Sequence, residues 1–129
     1  MFQSLTVFET AYAMAVHAGQ KQAVVAQNVA NVDTPGYVSR DLPAFKDVYT
    51  TEASERAIQR ASRPGHMHGL VDDVRTLIQE DKSFESPDGN SVSIETEILR
   101  GTEAKRQHDR SLAIYQSALT ILRASLGRQ

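Results

Sequence analysis

Two histidines and two aspartates near the middle of the chain carry side chains that a metal site could use. His66 and His68 are two residues apart, and Asp72-Asp73 follows shortly after. Imidazole and carboxylate groups suit zinc or nickel. The group lies beside Pro64-Gly65 in a loop-like stretch, however, and no His or Glu pair at helical spacing completes it. We therefore predict no metal site.

Catalytic motifs are also missing from the sequence. It contains no Cys, no G-x-S-x-G nucleophile turn, no glycine-rich phosphate loop and no H-E-x-x-H zinc helix. These patterns supply nucleophiles, phosphate cradles and metal ligands in enzymes. We therefore predict that the chain is not an enzyme and uses no cofactor and no small-molecule substrate.

The charges exclude a further class of partner. The chain has 14 basic and 16 acidic residues in 129, a net charge of -2. A nucleic-acid-binding domain carries a basic surface that neutralises phosphates. We therefore expect no nucleic-acid partner.

The start of the given sequence predicts neither a secretory leader nor a membrane span. The first basic residue is Lys21, whereas a signal peptide needs a basic segment before its apolar run. Polar residues interrupt the apolar stretch from Ala11 to Val32, and spanning takes roughly 20 mainly apolar residues. We expect no cleaved signal peptide.

The first 32 residues predict a long helix that must be covered by other protein. They carry only two charges, Glu9 and Lys21. Apolar residues recur at helical spacing of three and four. We predict a helix over residues 4–32, about 43 Å long at 1.5 Å per residue, whose seam comprises Leu5, Phe8, Tyr12, Ala15, Ala26 and Val29.

The end of the chain repeats this pattern over more than four heptads. Glu95 and Glu97 lie in the first turn and Arg123 near the end, as the helix dipole prefers, and Glu97 can pair with Arg100 on a solvated face. Gly127 suits a C-cap. We predict a coiled-coil helix over residues 92–126 with the seam Ile94, Ile98, Leu112, Tyr115, Leu119, Leu122 and Leu126.

The middle of the chain is too polar for a core of its own. Residues 33–91 are predicted as a turn followed by a loop-rich stretch, with short helices at 52–61 and 70–80. The fold class is therefore all-α, a single domain over 1–129 in which the two long terminal helices pack as an antiparallel coiled-coil pair. One pair leaves much apolar surface uncovered, which favours neighbouring subunits over a self-contained bundle.

The most specific local feature is the stretch from Asn28 to Tyr37, NVANVDTPGY. Pro35 disfavours helical geometry at the preceding residue, and Pro35-Gly36 suits the centre of a type II turn in which Gly has positive φ. Asn28 and Asn31 share one face of the last helical turns. Tyr37 adds an aromatic ring with a polar tip. From the residues alone, this is a helix stop followed by a rigid turn.

This stretch resembles the signature of the bacterial flagellar basal-body rod and hook proteins, N-[IV]-A-N-x-x-T-P-G-Y, which follows a charge-poor N-terminal helix. The matching positions are Asn28, Ala30, Asn31, Thr34, Pro35, Gly36 and Tyr37. The family also ends in a heptad helix. The resemblance covers roughly residues 1–45 and 89–129.

The length of the chain and a few local sequence features indicate which member of the family it is most similar to. The distal rod and hook members are about twice as long or more and carry a β-rich domain between their terminal helices. This chain is too short to contain such a domain. Another short member carries extra residues before the Tyr, whereas this chain runs straight from Thr34 to Tyr37. The Pro64-x-His66 element and Gly89-Asn90-Ser91-Val92 agree with one short proximal-rod member, although Ser91 stands where a second Asn is frequent.

The resemblance implies a structural subunit that transmits torque in the proximal rod of the bacterial flagellum. It implies export by the flagellar type III apparatus without signal-peptide cleavage, and helical assembly through the terminal helices in the periplasmic part of the basal body. The implied partners are other copies of the chain, other proximal rod subunits, the MS-ring and export-gate adaptor FliE, and the export apparatus. The residues that match the signature are then the subunit-assembly motif.

A soluble helical coiled-coil binding module explains the heptads equally well but does not explain the NVANVDTPGY stretch. Such a module would be folded and monodisperse alone, whereas a rod subunit would be labile alone and ordered in the assembly.

Overall fold

The computed structural model describes residues 2–49 and 78–127, with the side chains of residues 2–5 left aside. Its N-terminal helix spans Phe2–Ala30 and its C-terminal helix spans Ile94–Leu126. The predicted bounds, 4–32 and 92–126, are correct to within two residues. The predicted fold class is confirmed, because the two long helices pack against each other in antiparallel orientation.

The ends of the C-terminal helix follow the predicted electrostatics. Glu95 and Glu97 lie in its first turn and Arg123 in its last, where they complement the partial charges of the helix ends. Gly127 is the C-cap residue, and its backbone N–H donates to the carbonyl of Arg123 at 2.8 Å. The N-terminal helix has no acidic residue in its first turn and no basic residue in its last. Other parts of the chain must therefore stabilise its end.

The two helices meet along small or polar side chains rather than along the predicted stripes. Ala11, Ala18 and Val25 are buried on the N-terminal helix. Their counterparts on the C-terminal helix, also seven residues apart, are Glu97, Ala104 and Ser111. Because most side chains along this line are small, the helix backbones can approach closely. Large apolar residues elsewhere on the two helices stay exposed, as is common at protein surfaces.

Of the predicted seam, Phe8 and Tyr115 do meet across the pair, edge to face with ring centroids 5.2 Å apart. Ala15, Leu119 and Leu122 are half-buried. The other described seam residues are exposed in the single chain, and they are Tyr12, Ala26, Val29, Ile94, Ile98, Leu112 and Leu126. The seam residue Leu5 lies among the side chains that are not described.

Two short strands, absent from the prediction, join the ends of the middle segment. β1 (Ser39–Asp41) and β2 (Gln79–Asp81) pair antiparallel, with Ser39 opposite Asp81 and Asp41 opposite Gln79. The helix predicted over 70–80 is wrong at its end, because residues 79–81 take part in this ladder. Its apolar spacing stops at Ile78, so no helical face continues into β2. The rest of that helix, the helix at 52–61 and the His66, His68, Asp72 and Asp73 group lie outside the described residues.

After β1, the chain runs back along one side of the N-terminal helix and covers it. Leu42 and Val48 are buried there. His17 Nε2 donates to the carbonyl of Pro43 at 3.0 Å, and its ring packs edge-on to Phe45. Residues 45–49 are helical. In the part of the chain that the structure describes, neither long helix is apolar enough over its length to cross a membrane.

Candidate functional site

The N-terminal helix ends in the turn that its sequence predicts. After Ala30 the backbone N–H of Asn31 donates to Asn28 and that of Thr34 donates to Asn31, both at 3.0 Å. The N–H of Tyr37 donates to the carbonyl of Thr34 at 3.2 Å, closing a four-residue turn. Gly36 has φ +71°, a conformation that other residues adopt at a cost. The predicted helix stop, with positive φ at Gly36, is confirmed.

Asn28 fastens this turn to the strand that follows it. Its side chain is fully buried. The amide Nδ2 donates to the carbonyl of Arg40 at 2.6 Å, and Oδ1 accepts from the backbone N–H of Arg40 at 3.1 Å. Tyr37 donates its hydroxyl to the same Oδ1 at 3.4 Å. Asn28 therefore pairs with Arg40 as a neighbouring backbone strand would, which explains the need for an amide with both a donor and an acceptor.

The other residues of the motif stay at the surface. The Asn31 Nδ2 donates to the carbonyl of Gln27 at 2.8 Å, and its Oδ1 accepts from the Thr34 hydroxyl at 3.2 Å. Ala30, Thr34, Pro35 and Gly36 are exposed. The motif thus divides into an inward pair, Asn28 and Tyr37, and an outward turn.

Asn90 is a central residue of this site that the sequence reasoning missed. It is buried, and its Nδ2 donates to the carbonyls of Asn31, Val32 and Thr34 at 2.8 to 3.0 Å. Its Oδ1 accepts from the backbone N–H of Val92 at 2.8 Å. All three carbonyls belong to the turn that follows the helix, so Asn90 holds this turn in place from the other half of the chain. The signal in the sequence is the Gly89-Asn90-Ser91-Val92 element, which, from the sequence alone, is only a point of resemblance with no role in the fold.

Backbone contacts hold the two halves together around Asn90. The N–H of Gly36 donates to the carbonyl of Asp88 at 3.1 Å, and the N–H of Ser91 donates to that of Tyr37 at 3.0 Å. The Ser91 hydroxyl accepts from the N–H of Ser39 at 2.7 Å and donates to the carbonyl of Asp81 at 3.1 Å. Ser91 thus bonds to both strands of the ladder. We call residues 28–42 and 79–92 together the junction.

An ion cluster lies under the strand ladder. Arg100 pairs with Glu97 at 2.8 Å, with Asp41 at 3.5 Å and, in its closest contact, with Asp81. Lys21 from the N-terminal helix pairs with Asp41 at 3.4 Å. The cluster therefore joins both long helices to both strands. The predicted Glu97–Arg100 pair is present, but Glu97 is buried rather than solvated.

The cluster has a distinct electrostatic signature. The hydrogen bond from Arg100, with further bonds from Ser83, lowers the pKa of Asp81 to about 2. Burial alone would lower the pKa of Arg100, but the hydrogen bond to Asp81 and the charges of Asp41 and Glu97 raise it. Both groups therefore stay charged over the ordinary pH range.

The described polar residues of the junction are arranged to hold the chain together. Within 2–49 and 78–127, no three His, Asp or Glu side chains are grouped as metal ligands. The polar groups of the junction mostly bond to the chain's own backbone. What this arrangement can do is fix the direction in which the chain leaves the N-terminal helix and present an exposed rigid turn beside it.

Comparison with known proteins agrees with the predicted resemblance. A family model described as "Flagella basal body rod protein" matches residues 17–37, the stretch that ends with the turn. The "Flagellar basal body rod protein FlgB" of Agrobacterium fabrum (strain C58 / ATCC 33970) is 26% identical over 119 residues, which cover 89% of this chain and 88% of that protein. The resemblance to the rod proteins, and to FlgB among them, is confirmed.

Proposed function

From its resemblance to the flagellar basal body rod proteins, we propose that this chain is a structural subunit of the proximal rod. It acts by binding its neighbours, not by catalysis. The observation that carries this proposal is the junction, because the stretch that matches the family model is also where the chain builds its most specific local structure.

The uncovered apolar surface supports assembly. Large apolar side chains such as Tyr12, Ile98 and Leu126 are 63 to 79% exposed. An isolated chain that leaves so much apolar surface in water is only marginally stable, and burial against other subunits stabilises it further. The predicted seam residues that do not meet within the chain are then the assembly surface.

We further propose the finer roles that the family resemblance implies. The chain is a single rod-subunit domain, exported by the flagellar type III apparatus without cleavage and located in the periplasmic rod. There it assembles helically and transmits torque. Its neighbours are other copies, other proximal rod subunits and FliE. The exposed turn at Thr34, Pro35 and Gly36, with Asn31 beside it, is the part of the motif that contacts a neighbour.

Purified basal bodies test the proposal. Mass spectrometry and immunolabelling should place the chain at the base of the rod, and a deletion strain should lack rods. Finding the chain only in the cytoplasm, with motility intact in the deletion strain, would favour the binding module instead.

Three variants test the proposed surfaces in the same strain. Asn31→Ala and Gly36→Val alter the outward turn, and each should reduce motility. Leu119→Asp should abolish assembly, because it places a charge on a half-buried position of the seam. Normal rods in all three variants would refute the proposed surfaces.

A further inference from the structure

We draw no further inference here: the strongest candidate, the acidic side-chain cluster around the buried Glu97, whose Oε2 has no hydrogen-bond partner within the described residues, belongs to the ion cluster already described under the strand ladder, in which Arg100 pairs with every carboxylate.

Discussion

The two ends of the helix pair differ in the side chains that they bury and expose. At the junction, Asn28, Asn90 and Ser91 are buried and bond to the chain's own backbone. At the other end, which we call the free end and which comprises residues 6–16 and 111–126, Tyr12, Ile121 and Leu126 are 67 to 79% exposed. One end satisfies polar groups internally, while the other leaves apolar groups in water.

Under the proposed function, this difference separates the buried polar residues that fold the chain from the exposed residues that would bind neighbours. A buried amide without its partners costs free energy within the single chain. An exposed apolar side chain contributes little until something covers it. Substitutions of the buried junction residues should therefore lower the stability of the isolated chain, whereas those at exposed positions of the free end should act mainly on assembly.

Asn28→Leu should have the largest effect on the isolated chain. It removes three hydrogen bonds and leaves both backbone groups of Arg40 without the amide. Because each of the three lost hydrogen bonds contributes about 0.5 to 1.5 kcal/mol, we expect the free energy of unfolding to fall by about 4 kcal/mol in urea titrations. Asn31→Leu is the control, and its loss should be near 1 kcal/mol, roughly one ordinary hydrogen bond. Equal losses would remove the distinction between inward and outward residues.

Asn90→Asp should have the second-largest effect on the stability of the isolated chain. The carboxylate keeps the acceptor for Val92 but presents oxygen to the three carbonyls that the amide now binds. We expect a loss of about 3 kcal/mol, as for an unpartnered buried polar group, measured by urea unfolding. Asp88→Asn makes the reverse exchange at an exposed neighbour and should change stability by less than about 1 kcal/mol. A harmless Asn90→Asp would contradict the role of Asn90 in holding the turn.

Acid should release the ion cluster at an unusually low pH. The pKa of Asp81 is about 2 in the folded chain, below its ordinary value of 3.8. A lowered pKa stabilises the fold above the unfolded value, and this contribution disappears as pH falls from about 4 through about 2. Because solvent screens the pair, we expect the Asp81 contribution to the free energy of unfolding to be about 1 to 2 kcal/mol. Arg100→Met should remove this acid step, whereas Arg106→Met, at an exposed position of the same helix, should leave it unchanged.

Tyr12→Ser should have the smallest effect on the isolated chain and a large one on the rod. Its side chain is 70% exposed, so stability should change by no more than about 0.5 kcal/mol. Rod assembly should fail or slow, which motility and electron microscopy of basal bodies would detect. A substantial loss of stability in the purified chain would place Tyr12 in the folding core and weaken the comparison.

The sequence predicts the helices better than it predicts their contact. Heptad spacing and the Pro35-Gly36 stop define both long helices to within two residues. Spacing alone cannot say which of several apolar stripes faces the partner within the chain, and here small residues such as Ala18 and Ala104 do so. The stripes with larger side chains lie mostly on the exposed faces of the two helices.

The junction was predictable only in its first half. Pro35 and Gly36 indicate a turn by local geometry, but the role of Asn90 depends on residues more than fifty positions away. The strand ladder and the burial of Glu97 are likewise long-range. From the sequence alone, a charged helical residue such as Glu97 is expected to be exposed to solvent. Its burial could be predicted only if its partners, Arg100 and the Ser39 hydroxyl, were known.

Amide hydrogen exchange on the full chain, free and in extracted basal bodies, tests the division most directly. In the free chain, residues 28–42 and 79–92 should exchange slowly, while residues 6–16 and 111–126 should exchange faster, because apart from Ala11, Ser111 and the Phe8–Tyr115 pair few of their side chains are buried. In the basal body, both regions should be protected. Equal protection of the two regions in the free chain, or a free end that exchanges at the same rate after assembly, would contradict the account.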